Sequence, residues 1–343
     1  MKLSVCFIMK NEEKNASRIL KKVLKFADEI IVVDTGSSDK TKEIVGKFTN
    51  FIYDYVWHNN FAAARNYAFS KATGDYLAWF DADDDIPDRT IDEINKIKNA
   101  PLADVYYLKY EYAASGTKPL LTFYRERIIK NCSAAKFKGK VHEAIEPFGK
   151  VEYVNACVKH IKTENRGKRN LNVYLAALKS GEKLTLRDVY YMGKEYYYNK
   201  MLKSAQKLLK KFVFNAKNGE LNVKDALLTL YKCDEKNNAK YLFKALEKFG
   251  ADAETLCNAG DYFRKKGDLK SAVVFYESAL NCDKPVFTNE FVYEIYYDYY
   301  PLTWLTSVYY ELKQIEKAKF CAEECAKLFP EDELAINNLK FFL

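Results

Sequence analysis

The chain has 343 residues, 48% hydrophobic and 30% charged, and its 55 Lys and Arg against 47 Asp and Glu leave a net charge of +8. That length exceeds one typical core, so two domains are expected, and the apolar content supports globular folding throughout. The modest basic excess suits small anionic ligands without calling for nucleic acid, and no run approaches the roughly 18 apolar residues that a membrane span requires.

The apolar run within Met1–Lys10 is too short for a secretory signal and carries no small-residue cleavage site, so it reads as a first buried strand. The eight cysteines, Cys6 to Cys325, are scattered without a Cys-x-x-Cys pair, which predicts reduced core thiols in a cytoplasmic protein. After Lys10-Asn11-Glu12-Glu13, Ile19, Leu20, Val23, Leu24 and Ala27 recur at helical spacing, and Glu29–Asp34 is a second strand, apolar except at its ends. Thr35–Thr41 is a turn of small and capping residues that opens a helix ending near Phe48. Strand, helix and strand in this order form a βαβ unit, whose ligands bind beyond the carboxyl ends of the strands.

Ala62–Ala68 is predicted helical, with Arg65 in its first turns. A cation there opposes the helix dipole, so Arg65 either faces an anion such as a diphosphate or is an exposed side chain of no consequence. Tyr76–Phe80 is a short strand buried on both faces, and Asp81, Asp83, Asp84 and Asp85 crowd the positions after it. Acids so dense need screening by water, a base or a cation. The turn is thus either a solvated acidic loop or an Asp-x-Asp pair of hard oxygen ligands suited to Mg²⁺ or Mn²⁺. Glu12, Asp34 and Asp81 each fall at or just past a strand end, as a rim holding a polar ligand would require.

The ordered segments Val5–Glu13, Asp28–Asp39, Phe61–Asn66 and Asp81–Asp84 together resemble the family 2 glycosyltransferases, over roughly the first 150 residues. The resemblance implies a GT-A fold: an α/β, Rossmann-like mixed sheet that binds a UDP-sugar, with a Mn²⁺ or Mg²⁺ ion, and inverts the anomeric carbon. Carried over by position, Asp34 matches the acid that contacts uracil, and Asp81 the first acid of the metal motif, near the ribose. Asp83 matches its metal-coordinating acid, Arg65 the base near the diphosphate, and Glu12 lies in the segment lining the nucleoside pocket. Farther on, Val105–Tyr112 and Leu120–Asn131 read as paired strands. Gly139-Lys140-Val141-His142-Glu143 resembles a segment of a family branch that also carries helical repeats, which implies His142 as a further metal ligand. His58 and His160 are read as structural. The catalytic base has no unambiguous signature; Glu143 is the first candidate, with Asp84 or Asp85 second.

From Leu171 the pattern turns helical. Gly193, Leu227, Gly260 and Thr306 recur at near-constant period, as do Ala205, Ala239, Ala272 and Ala318, with an insertion around Pro285–Tyr296. This is the pattern of an all-α tetratricopeptide-like solenoid, expected over residues 166–343 after a catalytic domain over 1–165. Such repeats suit a peptide or protein acceptor, with tyrosine-rich runs such as Glu294–Tyr300 lining a groove, or a homodimer contact. The expected activity is metal-dependent transfer of a sugar from a UDP-sugar to a polypeptide side chain. The alternatives are a cell-surface glycan or lipid-linked acceptor, or a non-catalytic scaffold.

Overall fold

The computed structural model describes residues 1–115, 118–161, 167–217 and 222–343, which form two compact units. One comprises residues 1–113, 122–191 and 287–290, the other 114–121, 192–286 and 291–343. The junction expected at 165/166 lies outside the described residues.

The first unit opens with β1 (Leu3–Met9), α1 (Ala16–Val23), β2 (Glu29–Asp34), α2 (Thr41–Val45) and β3 (Ile52–Asp54). There follow α3 (Phe61–Phe69), β4 (Tyr76–Trp79), the two-residue β5 (Asp84–Asp85) and α4 (Asp88–Asn99). β6 (Val105–Ser115) and β7 (Lys118–Lys130), apart from their ends within 114–121, with β8 (Phe137–Lys138), β9 (Ala144–Ile145), β10 (Val151–His160) and α5 (Arg169–Lys179) complete the set. The main sheet runs in the order β3-β2-β1-β4-β7-β6-β10-β5. β1 pairs parallel with β2 on one side and with β4 on the other, while β7 runs antiparallel to β4, so the sheet is mixed as expected.

That order places the working edge. The chain moves outward through β1, β2 and β3, then crosses back to the far flank of β1 as β4. The carboxyl ends of β1, β2 and β4 therefore open side by side at a switch of winding direction. β1, β2 and β4 are apolar nearly throughout because helices cover both faces. Ile19, Leu20 and Val23 of α1 and Ile91, Ile94 and Ile97 of α4 pack on one side. Ala62, Ala68 and Phe69 of α3 join Cys6, Ile31, Val33 and Trp79 on the other.

Helices dominate the second unit. α6 (Leu186–Tyr198) enters it at Met192 and pairs with α7 (Leu202–Asn215); α8 (Val223–Cys233) and α9 (Ala239–Phe249) follow, then α10 (Ala253–Lys265) and α11 (Leu269–Leu280). α12 (Tyr299–Glu311) with α13 (Ile315–Leu328) and a terminal α14 (Glu333–Lys340) ends the chain. These are stacked helix pairs, as the repeat pattern predicts. The register of the second pair is corrected by three residues. Counted from the helix starts, Leu230 and not Leu227 occupies the position of Gly193, Gly260 and Thr306. Leu242 and not Ala239 matches Ala205, Ala272 and Ala318, and it is fully buried where Ala239 is half-exposed. Loops of unequal length on either side of this pair hide the shift from a fixed-period alignment.

The first helices of successive pairs share one face, joined by partly buried polar contacts. Lys194 of α6 reaches Asp225 of α8 at 2.7 Å, Lys232 of α8 reaches Glu254 of α10 at 2.9 Å, and Tyr300 of α12 donates to Asp261 of α10 at 2.5 Å. The inserted segment lies against this face. Lys232 Nζ donates to the Tyr296 hydroxyl at 3.4 Å, Cys257 Sγ approaches the Tyr296 carbonyl at 3.6 Å, and the Tyr296 and Tyr300 rings meet at 5.1 Å. Tyrosines of the run Glu294–Tyr300 thus pack within the unit itself. No helix among the described residues is long and apolar enough to cross a membrane, and all eight cysteines are free thiols.

Candidate active site

The acidic turn after β4 is not a solvated loop. Asp83 and Asp84 are buried, and only Asp81 and Asp85 keep about a third of their side-chain surface in solvent. Buried carboxylates are costly unless each finds a donor. Asp84 has three: Oδ2 accepts from the Asp81 N–H at 2.9 Å and faces Arg127 at 3.2 Å, and Oδ1 accepts from the Tyr110 hydroxyl at 2.7 Å. Burial pushes its carboxyl up to about 6 against the pull of Arg127, with the Asp81 charge adding to the rise. Burial also opposes ionisation of Asp81, but Arg65, with Arg127 and Arg125, outweighs it and holds that carboxyl well below the usual range. Asp84 is thus engaged on both oxygens and fully enclosed, a poor position for the second-choice base. Asp85 faces Arg18 at 3.5 Å.

At the end of β2, Asp34 Oδ1 caps the following turn, accepting from the Gly36 and Ser37 N–H groups at 2.9 and 2.8 Å. Gly36 has φ +100, a left-handed conformation that glycine adopts without strain. Asp34 Oδ2 is buried with no hydrogen-bond partner. A fixed, desolvated acceptor of this kind calls for a donor from outside the chain. Glu12, beyond β1, accepts from the Asn15 side chain at 2.9 Å, and its N–H donates to Thr41 at 2.7 Å.

Arg65 is 6% exposed, which removes the exposed-side-chain alternative. Asn60 caps α3 by accepting from the Ala63 N–H, and this sets the turn from which Arg65 points inward. Its guanidinium lies 4.4 Å from the Trp79 ring centre, donates from Nε to Glu143 at 2.6 Å and from Nη2 to Asp81 at 2.7 Å. One cation therefore bridges the first acid of the turn and the leading base candidate, the latter 78 residues beyond Arg65 in sequence. Arg125 Nη2 fixes the Glu143 carbonyl at 2.8 Å.

His142 and His160 lie in different surroundings. The His142 ring stacks on Tyr191 at 4.3 Å, and its carbonyl accepts from Arg187 at 2.9 Å. His160, read as structural, brings Nδ1 to 3.7 Å from Asp83 Oδ1, and that nitrogen is buried without a hydrogen bond. Among the described residues, Asp83, Asp84 and His160 form the group whose ligand atoms all lie within 4.8 Å of one another. Asp84 is held by Arg127 and Tyr110, and beside it Asp83 presents an oxygen and His160 a nitrogen that has no hydrogen bond. One hard oxygen and one imidazole fit Mn²⁺, or Mg²⁺ less closely, provided a ligand's phosphates complete the shell.

Sequence reasoning missed His160, Arg18 and Arg127. Arg18 of α1 donates to the Asp84 carbonyl at 2.7 Å and the Ala82 carbonyl at 3.2 Å, gripping the backbone of the turn. At positions 18 and 127 the local sequence, Asn15-Ala16-Ser17-Arg18 and Arg125-Glu126-Arg127, gives no distinctive signal. For His160 there was none either, because its meeting with Asp83 depends on β10 pairing antiparallel with β5, His160 opposite Asp84.

Residues 4–168 match the family model described as Glycosyl transferase family 2. Curated relatives include a TPR repeat-containing protein of Synechococcus elongatus, 30% identical over 42% of this chain and 35% of its own length. Another is the SPbeta prophage-derived glycosyltransferase SunS of Bacillus subtilis, 29% identical over 65% of this chain and 56% of its own. The chain thus spans between about a third and just over half of these relatives. Among solved structures, S. aureus TarS 1-349 in complex with UDP-GlcNAc aligns over 97% of this chain and 93% of its own, at 14% identity and a TM-score of 0.41.

Proposed function

We propose, from the match of residues 4–168 to the glycosyl transferase family 2 model, that the chain transfers a sugar from a UDP-sugar to an acceptor in a metal-dependent, inverting reaction. The observation that carries this reading is the corner beyond β4, where Asp83 and an unpartnered His160 nitrogen stand 3.7 Å apart. Asp34 Oδ2 supports it by offering a buried acceptor to a base N–H. Glu12 and Asp81 serve the nucleoside from neighbouring strand ends. Mn²⁺ or Mg²⁺ held by Asp83 and His160 would supply neutralisation of diphosphate charge.

In this reading Glu143 is the base. Arg65 holds its Oε1, leaving Oε2 to take the proton of the acceptor nucleophile as that group attacks the anomeric carbon from the face opposite the diphosphate. Arg65 keeps this carboxylate and Asp81 in fixed relation, and we assign it that work in place of direct contact with the diphosphate. For the acceptor we favour a polypeptide side chain engaged by the helical repeats, whose shared face already holds the short 3-10 turn Glu294–Tyr297 of the chain's own inserted segment.

The deciding experiment combines UDP calorimetry, with and without Mn²⁺, and release of UDP from UDP-sugars. Glu143→Gln is expected to abolish transfer and retain UDP binding. Unchanged turnover in that variant removes Glu143 from the role, and absence of UDP binding by the wild-type chain overturns the whole reading.

A further inference from the structure

Arg127 of β7 is the most enclosed cation beside the acidic turn: its side chain is 1% exposed and that of its partner Asp84 0%. One nitrogen, Nη1, donates to the Trp79 carbonyl at 3.1 Å and faces Asp84 Oδ2 at 3.2 Å. The guanidinium lies 4.0 Å from the Trp79 ring centre and 4.6 Å from that of Tyr110. Flanked by two rings and bound at its tip, it has one position. Asp84 passes that position on through its bonds to the Asp81 N–H and the Tyr110 hydroxyl.

A fully buried ion pair is a weak source of stability, since desolvation cancels most of the attraction, and an apolar pair of equal volume often serves a fold as well. Its return here is geometric. The pair ties the last residue of β4 to the third residue after Asp81, so the chain between them must turn at a fixed angle while neighbouring carboxylates repel one another. We infer that Arg127 is a positioning residue which, acting through Asp84, aims Asp81 and Asp83 at the nucleotide and its cation. This rests on the functional reading above; Arg127 itself touches neither ligand.

The test measures UDP affinity by calorimetry in EDTA and in Mn²⁺ for the wild type, Arg127→Met, Arg127→Lys, Asp84→Asn and the Arg127→Met/Asp84→Asn double variant, with circular dichroism confirming the fold. In Arg127→Met the metal-free affinity is expected to hold, while the Mn²⁺-dependent gain falls about tenfold, as when a partner behind a metal ligand is lost. Arg127→Lys should recover most of that gain. Asp84→Asn should lose as much as Arg127→Met, and the double variant no more than either single one, because the two residues act as a unit. A folded Arg127→Met with an undiminished gain, or one losing metal-free and metal-dependent affinity alike, overturns the proposal. Should Arg127→Met not fold, Asp84→Asn decides: an undiminished gain there has the same force. A wild-type chain that binds UDP with no Mn²⁺-dependent gain removes the cation from the functional reading and this inference with it, whereas a normal gain that survives in the variants removes the inference alone.

Discussion

Arg65 gives one prong of its guanidinium to Glu143 and the other to Asp81, with Trp79 beneath it. Removing the charge leaves the Glu143 carboxylate buried and unpaired, so Arg65→Met is expected to lower the unfolding free energy by roughly 3 kcal/mol, measured by urea denaturation. Arg65→Lys should not restore it, because an ammonium cannot reproduce two bonds from one planar fork. A Lys variant as stable as wild type would show that charge alone suffices. That residue was legible in sequence as a cation needing an anion; which anion was not. The answer lay in Glu143, far along the chain and adjacent to a histidine that looked more important. His142 and His160 illustrate the same limit from the other side. Sequence spacing can favour one imidazole, but only the register of β10 on β5 determines which of them reaches Asp83.

At the scale of elements, small residues decide how closely paired helices approach. A Cβ on Gly260 would stand 2.6 Å from Cε1 of Tyr276, and one on Gly193 would stand 2.9 Å from the Leu209 side chain. Tyr276 cannot easily give way, since its ring is fully buried and its hydroxyl donates to Asp261 at 2.6 Å. Gly260→Ala is therefore expected to destabilise the protein by about 1–3 kcal/mol from overpacking, against about 1 kcal/mol gained in helix propensity. A higher melting temperature in this variant would show that α10 and α11 separate freely. The glycine itself was readable as a crossing point because its period repeats. The equivalent position in the α8–α9 pair was misread, since Leu227 and Leu230 are both apolar and differ by one helical turn, which a pattern of apolar residues cannot resolve.

Across the whole molecule, carboxylates tied to lysines set the acid limit of stability. Burial works against ionising Asp28 and Asp252, but Lys98 and Lys224 outweigh it; the Lys150 N–H and then Lys130 draw down Asp104. All three carboxyls lie below their ordinary 3.8 in the folded chain. A depressed folded-state value adds stability that is complete above the unfolded value and disappears as pH falls through the folded one. These three carboxyls should therefore make the melting temperature drop below about pH 4, whereas Asp84, raised to about 6 in the folded chain, adds stability as pH falls from about 7 towards 4. A melting temperature that keeps rising below about pH 4 would contradict the assignment of the three lowered carboxyls. The sequence by itself determined the two kinds of architecture, the strands whose ends carry Glu12, Asp34 and Asp81, and the acidic turn, because apolar periodicity and turn chemistry act over a few neighbouring residues. The tertiary structure alone decided that Asp84 is buried against Arg127, that Arg65 pairs with Glu143 and Asp81, and that His160 is the imidazole beside Asp83. Charges distant in sequence find each other only through sheet order and register, and those follow from the packing of the whole chain.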